Sequence, residues 1–89
     1  MVNRYNVSIT VISQKGNCAQ GHKIGDRWVC DSRYTPGGIC LSAFHTMYPI
    51  LRVLGFGGSL PWRDEPDMNT TACPDPANPT VFELRRLRD

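Results

Sequence analysis

The chain has 89 residues, 40% of them hydrophobic and 20% charged, with 10 Lys and Arg against 8 Asp and Glu. That length makes a single domain, residues 1–89, with a thin core. The net charge of +2 is too small for a nucleic-acid surface, and no apolar run approaches the ~18–20 residues of a membrane span. A membrane protein, a multidomain enzyme and a charged tail are thereby excluded. The first residues, Met1 to Asn6, carry no apolar signal core, so a cytoplasmic location is expected, and with it reduced cysteines.

Tyr5 to Ile12 alternates Tyr5, Val7, Ile9 and Val11 against Asn6, Ser8 and Thr10, the pattern of a half-buried strand, and Ile12 breaks the alternation at its end. Ser13 to Asp26 is turn material. Arg27 to Cys30 predicts a short strand. Thr35-Pro36-Gly37-Gly38 then stops any regular element.

A helix follows, with Leu41, Phe44, Tyr48 and Leu51 on one stripe and Met47 and Leu54 widening it. Gly55, Gly57 and Gly58 terminate it. Pro49 lies inside the pattern and removes the N–H partner of the His45 carbonyl, which predicts a bend or a restart there. Thr70 to Cys73 predicts a short strand, and Thr80 to Leu87 the last one. The mixed face of the last strand suggests a sheet edge. Strand, strand, helix, strand, strand is an α+β order: a small antiparallel sheet with one helical segment packed on it and long loops.

Three segments carry a resemblance: Gly16-Asn17-Cys18-Ala19-Gln20-Gly21-His22-Lys23-Ile24-Gly25-Asp26, Gly38-Ile39-Cys40-Leu41-Ser42-Ala43-Phe44-His45, and Ala72-Cys73-Pro74-Asp75-Pro76-Ala77-Asn78-Pro79. In this order they resemble a microbial family of small cysteine-containing proteins known only as an uncharacterised repeat protein family. The resemblance implies that Cys18, His22, Cys40, His45 and Cys73 occupy motif positions, while Cys30 lies outside them. It implies no activity.

Cys18-x3-His22 and Cys40-x4-His45 are two Cys/His pairs, and Cys73 is a fifth candidate. Thiolate and imidazole are donors for a transition metal, zinc or iron first, and a small domain gains folding energy from such a clip. The leading expectation is a metal-binding protein using Cys18, His22, Cys40 and Cys73, with His45 as an alternate ligand. The spacing matches no zinc finger. The plain alternative is that the cysteines are buried apolar thiols, that His22 sits in a turn and that His45 lies on a helix surface.

A second expectation is an enzyme. Cys40 stands at the helix start, where a thiolate is favoured, and His45 follows one turn later as a general base. A third is an accessory subunit whose Leu54–Trp62 stretch docks a partner protein, or a homo-oligomer. Arg85, Arg86 and Arg88 read as a solvated strand end rather than a nucleic-acid patch. Cys18, Cys40 and Cys73, each at an element end, are expected close together on one rim of the sheet, which would support either chemical reading.

Overall fold

The computed structural model describes residues 4–31, 33–62 and 64–88. Four strands, β1 (Val7–Gln14), β2 (Arg27–Cys30), β3 (Met68–Ala72) and β4 (Thr80–Arg86), form one antiparallel sheet in the order β2-β1-β4-β3. One helix, α1 (Leu41–Gly55), joins the two edge strands and covers one face. The α+β order expected from sequence is present. Among the described residues, no helix is long and apolar enough to cross a membrane.

The period-2 pattern of β1 and β4 builds the covered face. Val7, Ile9 and Val11 lie beside Phe82 and Leu84, all five buried. Full burial of side chains this large stabilises by ~1.5–3 kcal/mol each. Ile12, where the alternation breaks, is skipped in the pairing between Val11 and Ser13 and projects outward, as the extra residue of a β-bulge.

Three expectations are corrected. β4 is interior, flanked by β1 and β3, not an edge. The helix presents Ala43, Met47, Leu51 and Leu54 to the sheet, whereas Leu41 is 82% exposed and Tyr48 51% exposed. Of the bend or restart expected at Pro49, the restart is absent: the helix continues through Pro49. Pro49 and His45 are both on exposed positions, where the carbonyl that proline orphans can turn to water.

The C-terminus of α1 explains the Gly-Phe-Gly-Gly stretch. Gly58 N–H donates to the Val53 carbonyl at 2.8 Å and Gly57 N–H to that of Leu54 at 3.2 Å, a Schellman closure with Gly57 at φ 81°. Arg86 then completes the cap. It is 4% exposed and donates to the carbonyls of Leu54 (3.2 Å), Gly58 (2.7 Å) and Pro66 (3.1 Å), and to the Asp67 carboxylate (2.9 Å). The basic end is therefore not simply solvated. Its middle arginine is a core strut, and Arg88 shares the same carboxylate from outside.

Candidate thiol site

At the opposite end of the sheet, the loop after β1, the start of α1 and the β3–β4 connection enclose a cavity of about 230 Å³. Cys18, His22, Cys40 and Cys73 all line it, with Thr80 and Phe82 among the other walls. The three sequence-distant cysteines therefore do converge on one rim. Cys30 does not join them. It lines a separate cavity of about 160 Å³ on the other side of the helix, and its thiol donates to the Asp31 and Tyr34 carbonyls. Burial first, then the Asp31 charge, push that thiol up. His45 is exposed on α1 and is absent from the lining of the three-cysteine cavity.

Two loops are locked together to make the walls. Lys15 N–H donates to the Pro79 carbonyl at 3.1 Å, and Asn17 N–H to Asn78 Oδ1 at 3.1 Å. Asn78 is itself set by Asp75, whose carboxylate accepts the N–H groups of Ala77 (3.1 Å) and Asn78 (3.3 Å). The Pro-Asp-Pro run thus forms an Asx-type turn. Gly16 is required at the seam. Its φ is +68°, and a Cβ there would lie 2.1 Å from Asn78 Oδ1.

Cys18 opens the turn that follows. Gly21, at φ 79°, donates its N–H to the Cys18 carbonyl at 3.0 Å, and this folds the chain back over the sulfur. Burial pushes the Cys18 thiol up. Backbone N–H groups of His22, Gln20 and Gly21 and the Thr80 hydroxyl act against it, and together they hold the thiol below its ordinary value. The Thr80 hydroxyl donates to the Gln14 side-chain oxygen.

His22 lines the cavity and also bonds to the backbone. Its Nε2 accepts the Cys40 backbone N–H at 3.0 Å, and its ring stands edge-on to Trp28 at 5.0 Å. That bond consumes the Nε2 lone pair and leaves the proton on Nδ1 in the neutral ring. His22 so pins the first residue of the helix entry to the Cys18 loop. Cys40 is the N-cap of α1, yet its sulfur makes no capping hydrogen bond. Among the described residues, no group of three or more His, Cys, Asp or Glu side chains stands in an arrangement that could hold a metal ion.

Asp26 closes its own turn by accepting Lys23 N–H at 3.0 Å, and takes no part in the cavity. Reasoning from sequence missed Thr80 and Asn78. The only trace of the Cys18 turn in the sequence is a glycine three residues after a cysteine, and backbone N–H donors leave no letter of their own. Set against protein-family models, curated proteins and solved structures, the chain matches none of them, so the functional reading rests on this geometry.

Proposed function

We propose that the domain carries out thiol–disulfide exchange, with Cys18 as the attacking sulfur. The observation that carries this reading is the meeting of Cys18, Cys40 and Cys73 from three separate segments at one cavity, and of these thiols Cys18, which opens the tight Gly21 turn, is held below its ordinary value. The thiolate is the nucleophile, and donors fixed in the folded backbone favour it at no reorganisation cost. A Cys18 thiolate attacks one sulfur of an incoming disulfide. A new S–S bond forms, the old one breaks, and the departing half leaves as a thiolate. The Cys40–His45 pair is the weaker candidate for this chemistry, because His45 is exposed outside the cavity.

The test is competitive labelling. Wild-type protein at pH 7 is treated with substoichiometric iodoacetamide, and the labelled peptides are mapped. Cys18 is expected to react about tenfold or more faster than Cys40 and Cys73, with Cys30 slowest. Equal rates, or Cys40 leading, would overturn the assignment.

A thiophilic metal is the second reading, zinc or iron in the first instance. It is favoured by the convergence of Cys18, Cys40 and Cys73 from three separate segments, and by the Thr80 N–H that donates to Cys73 Sγ at 3.2 Å. N–H donors of that kind also orient metal-bound thiolates. With the His22 Nε2 engaged, the donors would be the three sulfurs. Stoichiometric metal on protein purified without added metal, lost in Cys18→Ser, Cys40→Ser and Cys73→Ser alike, would put this reading first.

A further inference from the structure

We propose that Cys73 is the resolving thiol that releases the mixed disulfide from Cys18, so that the domain cycles between a dithiol and a Cys18–Cys73 disulfide. The inference rests on the thiol-exchange reading and adds the second half of its cycle.

Asn78 singles out Cys73. Its Oδ1 accepts the N–H of Asn17, next to Cys18, at 3.1 Å, and its carbonyl faces the Cys73 thiol at 3.8 Å. One residue therefore joins the Cys18 loop to the Cys73 sulfur. Cys73 is held there by its own N–H, which donates to the Thr80 carbonyl at 2.9 Å. On moving, its sulfur gives up the Thr80 N–H at 3.2 Å and the long contact with the Asn78 carbonyl. The Lys15–Pro79 and Asn17–Asn78 bonds keep the Cys18 loop against the Cys73 hairpin.

Cys40 is placed less directly. It reaches the Cys18 loop through its backbone N–H and the His22 ring, not through its sulfur. Cys30 lies in the other cavity.

The chemistry balances. In the first step the Cys18 thiolate and a disulfide RSSR give Cys18–S–S–R and RS⁻. In the second, Cys73 loses its proton to water and attacks Cys18 Sγ. The Cys18–SR bond breaks and a second RS⁻ leaves. Both released thiolates take up protons. In sum, two protein thiols are oxidised and one small disulfide is reduced to two thiols.

The test uses the full chain and 2-hydroxyethyl disulfide, which is neutral and small. Non-reducing peptide mapping with intact mass follows the products. Wild type is expected to lose two hydrogens and yield a Cys18–Cys73 cross-linked peptide. Cys73→Ser is expected to stop at a single adduct on Cys18, and Cys40→Ser to behave as wild type. A persistent Cys18 adduct in wild type, or a Cys18–Cys40 cross-link, would overturn the role of Cys73 while leaving Cys18 as nucleophile. Absence of any Cys18 adduct would overturn both. The wild-type map decides even if a variant fails to fold.

Discussion

Replacing Arg86 by Met keeps most of the side-chain volume and removes every donor. The structure predicts a large loss of stability. Three carbonyls, those of Leu54, Gly58 and Pro66, lose the guanidinium that now satisfies them. Hydrogen bonds to a charged group contribute ~1.5–3 kcal/mol each, but they share one side chain and do not add. Removing one partner of a buried ionic network costs ~3–5 kcal/mol, and that is the range expected here. A chain of this length has total stability on the order of 4–13 kcal/mol, so the variant stands near its unfolding threshold. At ~4–8 °C per kcal/mol the midpoint falls by about 12 °C or more. Thermal unfolding followed by Trp28 and Trp62 fluorescence and by circular dichroism measures it. Arg85→Met is the control. Arg85 pairs with Glu65 and Glu83 near the surface, its side chain 37% exposed, and such pairs contribute ~0.2–1 kcal/mol. If Arg86→Met shifts the midpoint no further than Arg85→Met, the cap carries little and the reasoning fails.

Two further outcomes follow from the same contacts. Hydrogen bonds from Arg88, then Arg86, hold the Asp67 carboxyl down at about 2, from an ordinary 3.8. A carboxyl depressed in the folded state stabilises above its unfolded value. That contribution is complete above about pH 4 and disappears as pH falls toward about 2. Urea midpoints should therefore drop between pH 4 and 2 more steeply in wild type than in Asp67→Asn, and parallel curves would count against the clamp. At the other end of the sheet, Gly16→Ala puts a methyl 2.1 Å from Asn78 Oδ1 at a φ of +68°. Gly25→Ala, at φ +97° with nothing within 4 Å, suffers only the left-handed backbone cost of ~1–2 kcal/mol. Gly16→Ala is expected to be the more destabilising of the two in the same assay. It should also slow closure of the Cys18–Cys73 bond, and equal midpoints would mean that the two loops are not locked together.

How much of this was legible in the sequence depended on which atoms did the work. The short strand at Arg27–Cys30 and the alternation of Val7, Ile9 and Val11 are side-chain patterns, and they read correctly. The helix was legible as a helix, and Met47, Leu51 and Leu54 of the expected stripe are buried, whereas its Leu41 and Tyr48 are exposed. Leu41-Phe44-Tyr48 and Ala43-Met47-Leu51 fit the same 3.6 period, and residue size favoured the first. The sheet instead takes the side carrying Ala43, a small residue suited to close packing. Arg86 misled for a related reason. A charge on the inner face of a strand suggested an edge, yet its neutralising partners are three backbone carbonyls and an aspartate 19 residues away. The convergence of Cys18, Cys40 and Cys73 was legible because each follows or precedes an element end. The bonds that tie these loops together were not, since their donors at Asn17 and Thr80 are backbone N–H groups.

The two ends of β4 divide the work of the domain between them. Arg86, at its C-terminal end, ties the helix C-terminus to the segment before β3 and carries the ionic part of the fold. Thr80, at its N-terminal end, donates its N–H to Cys73 Sγ and lines the cavity. The helix between them is oriented to suit both. Its C-terminal carbonyls, with partial negative charge, face the arginine, and its N-terminus opens at Cys40 beside the cavity. No acidic residue occupies the first turn of α1, so the positive end of the helix dipole is left uncompensated there. The helix N-terminus and the Cys18 turn thus meet at the same cavity. Because the strongest tertiary clamp is at the far end, the thiol loops are held mainly by backbone turns and by Asn78. Loops secured in this way can shift a sulfur while the core remains in place, and a disulfide formed and broken in turn requires that freedom.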